Sequence, residues 1–401
     1  MKEKNIVIIG GGASGLFCAL SLAERGAKNI TVLERGERVG RKLSATGNGQ
    51  GNLTNRNMGA ERYFTDEPKK AAEILRAFDE NALLSYFENL GGLFESDEKG
   101  RVYPTSRQAS AITDLLRFAL AKRGVTTITN CKAEKITKRG DGFSVICSDG
   151  SNRFADVLVM ATGGKAAKNF GTDGTAYDLV KPFGHTVTPL FPALVQLKTD
   201  TTYIKALKGI RVDCLVKAYD GKKEATHVRG DVIFTDYGVS GNAVFFASSY
   251  LVGVNAPALS LEFLPDVSRE KLTGILEKKS KNSAEDGLLG CILNNQLGRS
   301  VIKRVKAEKG EGYTAADVAN TVKDFRLKVT GTLGFDYAQV TRGGIPMSEV
   351  DDGLQSKKAK NLYFCGEILN VDGECGGYNL QWAFSSARRV ANGIVNGEKK
   401  A

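Results

Sequence analysis

The first forty residues constrain this chain more than any other stretch. Asn5-Ile6-Val7-Ile8-Ile9 is a continuous apolar run, and Gly10-Gly11-Gly12-Ala13-Ser14-Gly15 follows it at once. Leu16, Ala19, Leu20 and Ala23 then recur at helical spacing until Gly26 ends the pattern, and Ile30-Thr31-Val32-Leu33 leads to Glu34. This order predicts a buried parallel strand, a tight glycine turn, a helix and a second parallel strand. Gly10, Gly12 and Gly15 have the spacing in which the first glycine permits the turn, the second lets backbone approach a pyrophosphate, and the third lets helix pack on strand. Ala13 and Ser14 open the helix, whose free N–H groups and positive end favour a diphosphate. Glu34 is placed to accept hydrogen bonds from both hydroxyls of an adenosine ribose, and its charge repels a phosphate there.

That motif alone leaves open which dinucleotide is bound, and three other segments bear on the choice. Gly40-Arg41-Lys42-Leu43-Ser44-Ala45-Thr46-Gly47-Asn48-Gly49-Gln50-Gly51-Asn52 joins a basic pair to alternating glycines and small polar residues. Such a loop can lay N–H groups along a diphosphate and then along one edge of a flat ring; an ordinary surface turn is the plain alternative. Val157-Leu158-Val159-Met160-Ala161-Thr162-Gly163-Gly164 reads as a buried strand ending in a glycine turn, at the edge where an α/β sheet places ligand contacts. In Gly366-Glu367-Ile368-Leu369-Asn370-Val371-Asp372-Gly373-Glu374-Cys375-Gly376-Gly377-Tyr378-Asn379-Leu380-Gln381-Trp382, the Gly-Gly pair precedes a helical pattern from Leu380 to Val395. A helix end aimed in this way suits the negative N1/O2 side of a reduced flavin, and Glu367 is a candidate acceptor for ribityl hydroxyls.

Alternating elements elsewhere in the chain, with helical patterns over Pro68 to Leu90 and Gln108 to Arg123 and strands over Gly142 to Cys147 and Val157 to Met160, suggest a doubly wound sheet. Between Phe191 and Gly334 the character changes. Strand-like Ile210 to Tyr219 and Leu259 to Phe263 flank a Lys-rich, helix-rich stretch over Asp266 to Val329, which reads as an inserted module. The uncharged run Tyr237 to Leu261 is broken by Ser240, Gly241, Asn242 and Pro257, and is read as a buried helix followed by a buried strand rather than a membrane span.

Together these segments, with Phe234-Thr235-Asp236-Tyr237-Gly238-Val239-Ser240-Gly241 and Thr341-Arg342-Gly343-Gly344-Ile345, resemble the aminoacetone oxidase and BaiN-like flavoprotein family over essentially the whole chain. The resemblance implies an α/β fold with a discontinuous Rossmann-like FAD-binding domain, residues 1–190 and 335–401, and an inserted β-rich domain, 191–334, carrying a helical subdomain at about 266–329. It implies that the loop at Arg41–Asn52 and the loop at Gly373–Leu380 meet over the isoalloxazine ring. The expected cofactor-binding set is Gly10, Gly12, Ala13, Ser14, Gly15, Glu34, Arg35, Arg41, Lys42, Thr46, Gly47, Asn48, Gly49, Asn52, Ala133, Thr162, Gly163, Gly164, Gly366, Glu367, Gly376, Gly377, Asn379 and Leu380. Arg342 and Tyr378 are candidates to orient a substrate over the ring. Family members commonly read Gly-Arg-Cys-Asn where this chain has Gly49-Gln50-Gly51-Asn52, so no role of that cysteine carries over.

What the resemblance implies chemically is an FAD-dependent oxidoreductase, with NAD(P)H as transient reductant and hydride passing to an unsaturated or carbonyl-conjugated small molecule. An amine oxidase using oxygen is the alternative of the same class, and a non-catalytic, FAD-bound, RNA-associated protein the alternative of another. No second strand-glycine-helix unit with an acid lies between residues 150 and 340, so a nicotinamide would have to use the substrate cleft. Two histidines, His185 and His227, exclude a His-built metal centre, and His185 is read as a satisfied turn residue. Seven cysteines without a Cys-x-x-Cys pair fit reduced thiols, and with the strand starting at Asn5 they suggest a cytoplasmic protein. Cys375 is read as a small hydrophobe rather than a redox partner. The net charge of +11 is dispersed among acids, so neither a nucleic acid nor a membrane partner is expected; oligomeric state is not legible.

Overall fold

A computed structural model describes residues 4–281 and 287–400, the side chains of 397–400 apart. The chain divides into two units, Met1–Phe191 with Val340–Ala401, and Pro192–Gln339.

The first unit is built on five parallel strands in the order Leu362–Phe364, Val157–Met160, Ile6–Ile9, Ile30–Leu33, Thr126–Ile128. Every residue of Ile6–Ile9 and Val157–Met160 is buried, as continuous apolar runs require in a sheet covered on both faces. Helices Ala13–Ala23, Ala109–Lys122 and Tyr378–Lys400 pack together on one face. Phe17 and Phe384 interlock there edge to face at 5.0 Å between ring centroids, and truncating such a buried ring to alanine costs about 3–5 kcal/mol. The other face differs from a doubly wound arrangement. The antiparallel strands Ala133–Arg139, Gly142–Cys147 and Asn152–Ala155 lie against Val157–Met160 and Ile6–Ile9 in place of helices.

The helical pattern over Pro68 to Leu90 is two helices, Pro68–Ala77 and Glu80–Asn89. Phe78 leaves helical geometry, and the Asp79 carboxylate accepts the Ala82 N–H at 2.8 Å, restarting the chain as a fresh N-cap.

The second unit contains a closed antiparallel barrel, running Leu197–Thr199, Gly238–Ser240, Lys223–Phe234, Arg211–Asp220, Pro257–Glu262, Phe325–Thr332 and back to the first strand. Cys214, Val216 and Ala218 alternate inward, the period-two pattern of a strand with one covered face. Helices Arg269–Ser280, Asn295–Lys309 and Ala315–Lys323 lie in the chain between the barrel strands Pro257–Glu262 and Phe325–Thr332. The helix-rich stretch therefore ends before Val329. Phe325, Leu327 and Val329 are buried while Arg326 and Lys328 are exposed, so residues 325–332 alternate as a strand and close the barrel. This unit extends to Gln339, whose N–H donates to the Leu194 carbonyl at 3.1 Å. Among the described residues no helix is long and apolar enough to cross a membrane.

Candidate functional site

Three glycines of the first turn do different jobs. Gly10 takes φ +110°, and a side chain there would run into the Ala161 carbonyl; one at Gly15 would strike the Gly10 carbonyl. Both are required by the chain's own packing. A side chain at Gly12 would instead meet nothing within 4 Å. Gly12 is the N-cap of Ala13–Ala23, with no side-chain cap and no acid in the first turn, so the positive end of that helix faces open space.

At the end of the second strand, Glu34 Oε2 accepts the Gly11 N–H at 2.9 Å and Oε1 the Gly36 N–H at 2.7 Å. Each oxygen keeps a lone pair for a hydroxyl donor. The Cys131 N–H donates to the Glu34 carbonyl at 2.9 Å, which brings the strand beginning at Ala133 alongside. Arg35 pairs with Asp173 at 2.9 Å, and Arg41 donates to the Asn169 carbonyl at 2.7 Å, so both cations are anchored to the chain.

Beyond the strand Val157–Met160, the Thr162 hydroxyl is buried with no partner, a state that costs about 1–3 kcal/mol unless something binds it. Gly163 and Gly164 follow. A side chain at Gly164 would press on Thr341 and Glu367. Glu367 gathers this region: Lys42 Nζ lies 2.7 Å from Oε2, and the Thr341 N–H donates to Oε1 at 2.9 Å. The Thr341 hydroxyl in turn accepts the Lys165 and Ala166 N–H groups at 2.7 and 2.8 Å. Sequence assigns Thr341 no role; its place beside Arg342 in the Thr341-Arg342-Gly343-Gly344 run is its one local signal.

The two glycine loops come together. In the amide orientation that satisfies both its ends, Asn52 accepts the Gly377 N–H at 3.2 Å and donates to the Thr54 carbonyl at 3.0 Å. Asn55 donates to the Gly376 carbonyl at 2.9 Å. Thr54 donates to buried Gln381 at 2.6 Å, and Gln381 reaches the Phe78 carbonyl at 2.9 Å. On the loop itself Gly47, Asn48 and Gly49 all take positive φ, and the Thr46 carbonyl accepts the Gly49 and Gly51 N–H groups at 3.1 and 2.9 Å. Asn379 holds Gly373 from both sides at 2.9 and 2.8 Å, while Leu380 is half-buried on the first helical turn. Gly366 takes φ +79°, donates to Ser386 at 2.9 Å, and sits so that a side chain would stand 2.5 Å from the Ser14 hydroxyl.

Arg342 forms a two-pronged ion pair with Asp372, Nε to Oδ1 at 2.8 Å and Nη2 to Oδ2 at 2.9 Å, over the Phe64 ring. Asp372 is fully buried, and sequence assigns it no role; burial, against the pull of Arg342, raises its carboxyl to about 6. Tyr378 is buried and donates to the Asn57 carbonyl at 3.3 Å, a placement that commits its hydroxyl to packing, and burial pushes the phenol up to about 12. Burial likewise pushes the Cys375 thiol up to about 11, away from nucleophilic character. His185 is buried, with Nδ1 2.7 Å from Glu349 and Nε2 2.7 Å from Ser356.

The uncapped helix end at Gly12, the open space where its side chain would be, the orphaned Thr162 hydroxyl and the doubly anchored Glu34 fit an ADP-bearing cofactor. The HI0933-like protein Rossmann domain family matches residues 4–393. Over 396 residues the chain is 36% identical to the 3-dehydro-bile acid delta(4,6)-reductase of Clostridium scindens, covering 95% of this chain and 96% of that one. Over 404 residues it is 28% identical to the ribosomal RNA dihydrouridine synthase of Escherichia coli K12, covering 98% and 99%. Among solved structures, 3-ketosteroid delta1-dehydrogenase from Sterolibacterium denitrificans shares the fold, with a TM-score of 0.51 at 12% identity over 98% of this chain and 99% of that one. The chain belongs to the HI0933-like family of Rossmann-fold flavoproteins and is an FAD-dependent oxidoreductase.

Proposed function

We propose that this protein reduces a carbon–carbon double bond conjugated to a carbonyl group in a small molecule, with NADH or NADPH as the source of electrons. When bound, FAD would supply the two-electron chemistry. The chain's own residues then have separable tasks. Gly12, Ala13 and Ser14 would receive the diphosphate on the helix end that Gly10 and Gly15 shape, Glu34 would take the adenosine ribose, and Thr162 would donate into the same space. The linked group Lys42, Glu367 and Thr341 fixes the middle of the cofactor, while Asn52, Gly376 and Gly377 line the ring end. Arg342 offers a cation where the carbonyl oxygen gains negative charge.

The observations that carry this reading are the open helix end at Gly12 and the meeting of the two glycine loops at Asn52 and Gly377, within one unit that also holds the Arg342–Asp372 pair. A relative named as a delta(4,6)-reductase supports the reaction class. The test is anaerobic: mixing with NADH or NADPH should bleach the flavin's visible band, and adding 4-androstene-3,17-dione or another enone should restore it. Persistence of the band with both nicotinamides, followed by oxygen consumption with an amine, would replace this reading by the oxidase one.

A second reading keeps the chemistry and changes the substrate. Uridine also holds a double bond conjugated to a carbonyl, and the 28% identity to ribosomal RNA dihydrouridine synthases supports an RNA-borne base. It requires salt-sensitive RNA binding; a flat mobility-shift titration at low salt removes it.

A further inference from the structure

The Arg342–Asp372 pair is only half used by the chain. Nε and Nη2 of the guanidinium point inward to the carboxylate, at 2.8, 3.1 and 2.9 Å, and its plane lies on Phe64 with 3.7 Å from Cζ to the ring centroid. Nη1 has no hydrogen-bond partner among the described residues, and the side chain keeps 18% of its surface exposed while that of Asp372 keeps none. A guanidinium clamped on one edge and open on the other is preorganised to take an oxygen anion. Its place follows from its neighbours: Thr341 binds Glu367, and Asp372 precedes the Gly376-Gly377 helix start.

Building on the reductase reading above, we propose that Arg342 and Asp372 form a proton-linked oxyanion site, in which the outward edge of Arg342 takes the charged or charge-developing oxygen of a flat organic molecule while Asp372 takes up a proton. Asp372 is then a positioning residue and Arg342 the one that touches the ligand. With Asp372 ionised the pair is neutral, so an arriving anion feels both the cation and the carboxylate behind it. Repulsion between the two anions favours protonation of Asp372, and by linkage protonation of Asp372 favours the anion. The carboxyl already lies at about 6, raised by burial, with Arg342 opposing and Glu367 adding.

The other charged groups nearby are committed elsewhere. Glu367 is paired with Lys42, and Glu374, two residues beyond Asp372, is paired with Arg62 at 2.9 Å. On the strand whose Phe64 pairs with Asp372, Tyr63 donates to the Tyr378 carbonyl at 2.9 Å, and just beyond it Asp66 accepts from Asn370 at 2.9 Å. Asp372 is thus the group through which a proton couples to an anion on Arg342.

The test is calorimetric titration of the FAD-loaded protein with benzoate at about pH 7.5 and about pH 5.5, in buffers of different ionisation enthalpy so that protons are counted. Benzoate affinity should rise several-fold at the lower pH, with proton uptake at the higher one. Arg342→Gln should weaken binding by about tenfold or more. Asp372→Asn should bind at the higher pH as tightly as the wild type does at the lower, with its pH dependence gone. Absent benzoate binding, binding that is flat across this range, or binding unchanged in Arg342→Gln overturns the proposal, and the wild-type titrations decide even if a variant fails to fold. A colourless protein that still binds benzoate in this way would defeat the FAD reading alone.

Discussion

The two glycine-led helix starts of the first unit look interchangeable in sequence and are opposite in structure. At Ala13–Ala23 the helix end is open: Gly12 has no neighbour within 4 Å where a side chain would stand, and no side chain among the described residues caps the helix start. At Tyr378–Lys400 the end is crowded: Gly377 takes φ +101° and a side chain would stand 2.5 Å from the Thr54 backbone, while Asn52 accepts its N–H. Glycine is needed at the first for what must come in, and at the second for what is already there. A Gly-Gly before a helix is therefore by itself no sign of an open helix end, which the contacts around it decide.

Substitutions separate the two cases. Gly12→Val should give the largest change in cofactor content, a colourless protein whose thermal midpoint matches that of wild-type apoprotein; yellow, saturated protein would refute the open-end reading. Gly377→Val should act on the fold itself, through the positive φ and the clash, by about 3 kcal/mol or more in denaturant unfolding; an unchanged midpoint would show that the second end is not crowded.

A polar cluster outside both helix starts provides a control. Burial pushes Glu349 upward, but hydrogen bonds from Lys358, Thr186 and His185 outweigh it and hold the carboxyl at about 2, while burial lowers His185. Both folded values lie below the unfolded ones, so their stabilisation is complete above about pH 6.5. It is lost first through His185 and then, below about pH 4.5, through Glu349. Glu349→Gln should cost on the order of 2 kcal/mol at neutral pH and flatten the acid limb, with flavin content unchanged. An acid limb of wild-type steepness in the variant would contradict this. The smallest effect is expected at Asp79→Ala, about 1 kcal/mol from a lost N-cap, with the same flavin content; no measurable loss would mean that the break after Ala77 is held by other contacts.

Sequence showed the first unit well because its signals are local. The apolar runs Ile6–Ile9 and Val157–Met160 and the glycine turn between strand and helix each carry their own reason. Less legible was anything set by pairing across the chain. The strand Phe325–Thr332 was absorbed into a helical stretch because its alternating Phe325, Leu327 and Val329 make sense only once the barrel partner at Leu197–Thr199 is known. The antiparallel sheet that replaces helices on one face has the same cause. Within the site, the glycines and Glu34 announced themselves, whereas Thr341 and Asp372 did not, since a threonine or an aspartate acquires its role from the residue it meets, Glu367 or Arg342, rather than from its neighbours in sequence.

The proposed function requires one flavin nucleotide with its diphosphate at the open helix end of Gly12. Titrating the purified wild-type protein with FAD while following its visible spectrum tests this directly. Saturable uptake of one FAD per chain is expected, with spectral shifts that Gly12→Val abolishes. Wild-type protein that stays colourless and takes up no FAD would contradict it.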